Sequence, residues 1–199
     1  MRKIVTFNRV SADGYFSAPD GNLNWTVPDD EIDKAGAEGM ANVDAMLFGR
    51  RTYEMFESFW PKALKDDHGA SDPHQKGRRS PAIAQMAEFI NASTKYVFSR
   101  TRKEFPWTNS RHVPELDVRS VEALKREPGK DIIVFGSGAV VSKLTELGLI
   151  DEYRFIVGPV LLGSGKPLVG GVPKLTKLRL AEAKTYPSGN VILRYVRPD

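Results

Sequence analysis

A mostly parallel α/β sheet covered by helices on both faces and edged by a C-terminal antiparallel hairpin is the architecture this sequence predicts. Three observations carry it. Short apolar runs such as Ala45-Met46-Leu47-Phe48, and Ile132-Ile133-Val134-Phe135 after Asp131, suit strands buried on both faces. They alternate with segments of helical apolar spacing, and two runs at 177–186 and 191–197 flank Pro187-Ser188-Gly189-Asn190, a hairpin turn. No repeat or compositional break divides the chain, so residues 1–199 are expected to form a single domain.

Residues 3–7 and 10–16 read as an extended opening segment that runs to Ser11-Ala12-Asp13-Gly14 and a loop with Pro19-Asp20-Gly21. Pro28-Asp29-Asp30-Glu31 starts a helix, with proline pre-set for the first turn and carboxylates facing the positive end of the dipole. Ile32, Ala35, Gly36, Gly39, Met40 and Val43 give it one apolar face. Gly49 closes the next strand, and Arg50 to Phe56 begins a second helix. Residues 61–80 are charged and contain Pro and Gly, as surface loops do. Ile83, Met86, Ala87 and Ile90 mark a helix, Lys95 to Ser99 a strand, and Ser120–Arg126 a short helix. After Phe135, Gly136-Ser137-Gly138 opens a helix carrying Val140, Val141, Leu144 and Leu147. Tyr153 to Val157 is a strand, and Gly158 to Gly171 a glycine-rich crossing.

Composition narrows the chemistry. The chain has no cysteine, which excludes disulfide scaffolds, Cys-ligated zinc, iron–sulfur clusters and cysteine nucleophiles. There is no long apolar run and no signal-peptide pattern, so a cytoplasmic protein without membrane partners is expected. Net charge is only +4, with basic clusters at Arg50-Arg51, at Lys95 to Lys103 and at Lys76, Arg78 and Arg79. A solvated surface accounts for such clusters; because they adjoin strand ends and form no long stripe, local anion sites are the sharper reading, ahead of nucleic acid. His68, His74 and His112 fall in predicted loops without ligand spacing, so no metal site is expected.

Among the motifs, Phe135-Gly136-Ser137-Gly138-Ala139 follows a buried strand and opens a helix, the context in which N–H groups meet a pyrophosphate. Val141 stands where a Rossmann fingerprint has its third glycine. A tight strand-to-helix turn explains the glycines equally well. Gly163-Ser164-Gly165-Lys166-Pro167 is not a P-loop, because Val160 replaces the first glycine and Pro167 the hydroxyl. No Gly-x-Ser-x-Gly elbow occurs.

The distributed set Ser11-Ala12-Asp13-Gly14, Trp25 with Pro28 and Asp30, Gly49-Arg50-Arg51-Thr52-Tyr53, Ser99-Arg100-Thr101 and Gly136-Ser137-Gly138 resembles the dihydrofolate reductase-like family. Within it, the chain is most similar to the reductase domain of the bifunctional riboflavin-biosynthesis deaminase-reductase. Ser11 to Gly14, Gly148-Leu149-Ile150-Asp151-Glu152 and the run from Gly158 to Leu168 echo that domain's motifs, and the resemblance covers nearly all 199 residues. It implies an NADPH-dependent oxidoreductase that passes hydride to a C=N or C=O of a pterin-like or phosphoribosylamino-pyrimidine substrate. A non-catalytic nucleotide-binding or regulatory protein on the same fold is the alternative. A homodimer is a further implication.

By the same resemblance, Gly49, Arg50 and Thr52 contact cofactor phosphates, and Ser99 and Arg100, helped by Thr101 and Arg102, lie near the 2′-phosphate. Gly136, Ser137, Gly138, Ala139 and Val140 approach the pyrophosphate. Ser137 separates two glycines that are commonly adjacent, and Ala139 stands where a basic residue is frequent, which shifts phosphate recognition toward Arg50 and Arg100. On the substrate side Asp30 is the candidate catalytic carboxylate, with Asp33 one turn later as competitor. Helix capping accounts for the acids as well. Asp13 either touches substrate or shapes its turn, and Trp25 either walls the site or packs.

Overall fold

The computed structural model describes residues 1–63, 82–136 and 138–198. Its centre is an eight-stranded sheet in the order β5-β4-β3-β6-β1-β7-β10-β9. The strands are β1 (Ile4–Ser11), β3 (Val43–Gly49), β4 (Thr94–Phe98), β5 (Ser110–Val113), β6 (Asp131–Val134), β7 (Glu152–Gly158), β9 (Arg179–Thr185) and β10 (Val191–Val196). Neighbours from β5 to β7 are parallel, and β10 runs antiparallel to β7 and β9, as expected of a terminal hairpin. Two short strands, β2 (Tyr15–Ser17) and β8 (Lys166–Pro167), pair separately.

Strand alternation sorts the core into two layers. Leu47, Ile132 and Val134 face α4 (Val118–Arg126) and α5 (Gly138–Glu146), which add Val121, Leu124, Val141 and Leu144. Met46, Phe48 and Ile133 face the other way, onto Tyr53 and Phe56 of α2 (Arg50–Phe59) and Ala87 and Ile90 of α3 (Ile83–Ala92). Such side chains contribute about 1.5–3 kcal/mol each when fully buried, so β3 and β6 anchor the fold. α1 (Asp30–Glu38) lies on the α2 side, where Ile32 meets Ile156 and Tyr186.

Several expectations shift in detail. The opening segment divides, because Asp13 and Gly14 turn the chain between β1 and β2, with Gly14 at a φ of 88°. Asp29 is the N-cap of α1, so Pro28 sits just outside the helix, and a 3-10 turn over Gly39–Asn42 ends the predicted apolar face. β5 and β8 are additional strands. β5 is a half-exposed edge with no apolar run, and His112 lies in it rather than in a loop, its Nε2 2.7 Å from the Ser99 carbonyl. The basic cluster from Lys95 to Lys103 also divides. Lys95 is 0% exposed, donates to the carbonyls of Asn91, Ser93 and Thr108, and lies over the Trp107 ring. Burial pushes its ammonium down to about 8. Most of the predicted 61–80 loop, with His68, His74, Lys76, Arg78 and Arg79, lies outside the described residues. Among the described residues no helix is long and apolar enough to cross a membrane.

Candidate functional site

Parallel pairing puts the C-terminal ends of β3, β4 and β5 at one edge of the sheet, where the N-termini of α2 and α5 also point. A cleft of about 1190 Å³ opens there. Gly49, Arg50 and Thr52 come to it from the β3–α2 turn, Ser99, Arg100 and Thr101 from the end of β4, and Gly138, Ala139 and Val140 from the start of α5. Eight of the ten residues predicted for cofactor binding are therefore brought together from across the sequence, Gly49 to Val140. Gly49 is the N-cap of α2 and offers no side chain to the first-turn N–H groups, and that turn holds no acid, so an anion meets donors and a favourable dipole. Arg51, Lys143 and Lys166 add positive charge, and among the described lining residues Glu115 is the acid.

Individual side chains refine this. Ser99 Oγ accepts the N–H groups of Arg102 at 2.8 Å and Thr101 at 3.3 Å, so Ser99 shapes the turn that presents exposed Arg100 to the cleft. Arg102 points elsewhere. Its guanidinium bonds Glu57 at 3.1 and 3.2 Å and lies over the Phe105 and Tyr53 rings. Arg50 pairs with Glu54 at 3.3 Å while lining the cleft. Gly136 stands outside the lining with a φ of 105°, a conformation the turn demands of glycine. A Cβ on Gly138 would lie 2.9 Å from the Pro167 carbonyl and 3.2 Å from the Phe16 ring, so this glycine lets β8 and Phe16 pack on the helix start. Ser137 lies outside the described residues.

A second, narrower pocket of about 170 Å³ adjoins the cleft, and Phe16, Leu23, Thr52 and Met55 line both. Its other walls include Phe7, Phe56, Trp60, Met86 and Phe135. Asp33 lies in this lining, paired with Arg9 at 3.0 Å, while Arg9 also reaches the Val27 carbonyl at 3.5 Å. Asp30 is exposed at the first residue of α1 and outside the lining. The cause is helical phase, since Asp33 shares the inward face with Ile32 and Gly36.

The other two substrate candidates are also placed outside both linings. Asp13 accepts from the Ser11 hydroxyl at 2.6 Å and from the N–H groups of Gly163 at 2.7 Å and Leu162 at 3.1 Å, and these donors, Ser11 foremost, hold its carboxyl below the usual range. It fastens the β1–β2 turn to the glycine-rich crossing. Trp25 packs within 3.5 Å of where a Gly158 side chain would begin. Arg9, Phe16 and Met55 are site residues that motif reading passes over. Arg9 had a signal, because a lone arginine in a mostly buried strand requires a carboxylate partner.

The family model described as RibD C-terminal domain matches residues 2–192. The chain is 30% identical over 206 residues to the uncharacterized protein YwjB of Bacillus subtilis (strain 168), covering 98% of both. Its fold is similar to that of a putative riboflavin biosynthesis protein from Shewanella sp. PV-4, at a TM-score of 0.74 with 21% identity and 100% of each chain covered. It is also similar to a dihydrofolate reductase from Enterococcus faecalis, solved with NADP(H), at a TM-score of 0.62, 11% identity and coverage of 99% and 97%. The sheet is thus dihydrofolate reductase-like, and a match spanning 2–192 makes the chain a member of the RibD C-terminal domain family.

Proposed function

We propose that this chain is an NADPH-dependent reductase that delivers hydride to a C=N or C=O carbon of a small heterocycle, pterin-like or phosphoribosylamino-pyrimidine-like, as in riboflavin biosynthesis. The observation that carries the reading is the adjacency of two unlike cavities. One is a wide basic cleft over two helix N-termini, and the other is an aromatic pocket sharing a wall with it. The residues present fit the dinucleotide. The first turns of α2 and α5 supply N–H donors for a pyrophosphate, and Arg100 with Thr101 stands at the neighbouring strand end for a phosphate monoester. Family membership and the reductases that share this fold support the same chemistry.

When bound, NADPH supplies the hydride. The chain's own residues then have three tasks. Phe16, Leu23, Thr52 and Met55 form the wall common to both cavities and would shield a nicotinamide and a substrate ring from water there. Aromatic side chains orient a flat substrate. The Arg9–Asp33 pair sets hydrogen-bonding polarity at one side of the pocket, with Asp33 placed to accept from a ring N–H.

Thermal melts of the full chain with NADPH and NADH, followed by loss of reduced-nicotinamide absorbance with candidate heterocycles, test this reading. A ligand at 100 times its Kd stabilises the folded state by about 2.7 kcal/mol. The expected result is a larger rise in Tm with NADPH than with NADH and consumption of NADPH on adding substrate. No shift with either nucleotide would overturn it.

A further inference from the structure

Arg100 reaches the basic cleft from a loop that is fastened from outside it. Ser99, just after β4, is buried, its Oγ accepts the N–H groups of Thr101 and Arg102, and its carbonyl lies 2.7 Å from His112 Nε2 on β5. Beyond Arg100 the loop is tied to α2. Arg102 donates from Nη1 and Nη2 to the two carboxylate oxygens of Glu57 at 3.1 and 3.2 Å, and from Nε to the Glu104 carbonyl at 2.8 Å. Its guanidinium also lies over the Tyr53 ring of α2 at 5.4 Å and the Phe105 ring at 5.1 Å, and those two rings meet edge-on at 5.0 Å. The side chains of Arg102 and Glu57 are only 28% and 23% exposed. A two-pronged arginine–carboxylate pair fixes direction as well as distance.

Glu57 and Arg102 stand outside the described lining of both cavities, so their effect on a ligand is indirect. What they join is two walls of the cleft. α2 carries Arg50 and Thr52 in its first turn, and the loop carries Arg100 and Thr101. Glu54 repeats the link, with one oxygen 3.3 Å from Arg50 and 3.5 Å from Arg102. An exposed arginine on a loosely held loop has to be ordered when it binds an anion, and that ordering subtracts from affinity. A loop fixed beforehand avoids this loss. The sign of the effect separates it from simple charge. Glu57 is an acid behind a site for an anion, so repulsion alone would make its neutralisation tighten phosphate binding, whereas loss of positioning weakens it.

We propose that Glu57 is a positioning residue: through Arg102 it fixes the loop that presents Arg100, and so sets the preference of the cleft for a dinucleotide carrying a 2′-phosphate. The inference rests on the reductase reading and adds to it a residue that touches no cofactor. Titration calorimetry of the full chain with NADPH and with NADH tests it in the unmodified protein, Glu57→Gln, Arg100→Ala and the double variant, with circular dichroism verifying folding. Glu57→Gln is expected to weaken NADPH binding by roughly fivefold or more, while NADH, whose pyrophosphate faces the helix starts, changes by less than about twofold. In the Arg100→Ala background the same substitution should alter the ratio of the two affinities by less than about twofold, because the side chain it positions is gone. Tighter NADPH binding, equal loss of both cofactors, an undiminished effect without Arg100, or no change at all would overturn the inference. Arg102→Lys keeps the charge and loses the fork, so it should erode the ratio in the same direction, and a folded Arg102→Lys chain with an unchanged ratio would also overturn it. Equal affinities for NADPH and NADH in the unmodified chain would overturn the inference and leave dinucleotide binding standing. Failure of the unmodified chain to bind either cofactor would remove the reductase reading, and the inference with it.

Discussion

Arg100 and Asp33 divide recognition at the scale of single side chains. Arg100 is exposed, lines the basic cleft and is held in place by a turn whose N–H groups bond Ser99 Oγ. A charge-assisted bond from such a guanidinium to a phosphate contributes on the order of 1.5–3 kcal/mol. Arg100→Ala is therefore expected to erode a preference for NADPH over NADH by roughly tenfold or more. Calorimetric Kd values for both cofactors in both proteins check this, and an unchanged ratio would remove Arg100 from the phosphate site.

Asp33 is the residue to test on the substrate side. Asp33→Asn is expected to keep NADPH binding and lower kcat by roughly 10²-fold, the scale of a lost acid–base or orienting carboxylate. Asp30→Asn should leave kcat within about twofold, because Asp30 lies at the helix start outside the pocket and asparagine also suits a helix start. The reverse pattern would return the role to Asp30. Their spacing explains why sequence alone left the two open. Both acids follow Pro28 within one helical turn, and only the phase set by the Asp29 cap decides which faces inward. Arg9, Phe16 and Met55 belong to the site through packing across elements, which no local motif encodes.

At the scale of elements, helix α1 is fixed at its start and to the C-terminal hairpin by one carboxylate. Asp29 accepts the N–H groups of Glu31 at 2.9 Å and Ile32 at 3.1 Å, and it takes the Ser188 hydroxyl from the turn between β9 and β10. Burial pushes its carboxyl up, but Ser188 and the two N–H groups outweigh burial and hold it below its ordinary value. A depressed folded-state pKa means the unfolded chain binds the proton first as pH falls. The stabilisation is present above about 3.9, the ordinary aspartate value, and disappears as pH drops through the lower folded value. Asp29→Ala should cost about 0.5–2 kcal/mol at pH 7 in urea unfolding. Its deficit should shrink below pH 4, and a deficit independent of pH would show that the carboxylate charge is not what caps the helix.

Elements were legible where their hydrophobic pattern was strong and obscure where pairing alone made them. β3 and β6 are apolar through both faces, and α2, α3 and α5 carry one apolar side, so periodicity reveals them. β5 and β8 owe their strand geometry to a neighbour's edge, with half-exposed Ser-Arg-His-Val and a two-residue pair. The same limit affects Gly138. Its glycine signature is real, but β8 and Phe16 approach it in the described structure, so Gly138→Val would displace them as well as any pyrophosphate.

At the scale of the whole molecule, strand order and charge act together. Alternating strands and helices imply a parallel sheet, but which strands are neighbours is not written in any local pattern. β6 inserts between β3 and β1, and this brings the start of α5 beside the start of α2. Among the described residues the result is one cleft lined by five basic side chains beside a largely aromatic pocket, although the chain carries only +4 overall. Local arrangement, not net charge, decides what each cavity attracts.

The basic cleft and the aromatic pocket predict different responses to salt. Cofactor phosphates facing exposed arginines and lysines are screened as the Debye length falls from about 10 Å at 0.1 M to about 3 Å at 1 M. A neutral ring held by aromatic contact is not screened, and its burial depends on the hydrophobic effect. Raising sodium chloride from about 0.1 to 1 M should weaken NADPH binding by roughly tenfold or more, and it should change the affinity of an uncharged ring ligand by less than about twofold. Both Kd values come from calorimetry on the same protein at matched pH. Arg100→Ala should flatten the NADPH salt dependence, because one of the screened contacts is gone. If NADPH affinity were indifferent to salt, the basic cleft would not be where its phosphates bind, and if the ring ligand lost as much affinity as the cofactor, charge rather than aromatic contact would govern the pocket.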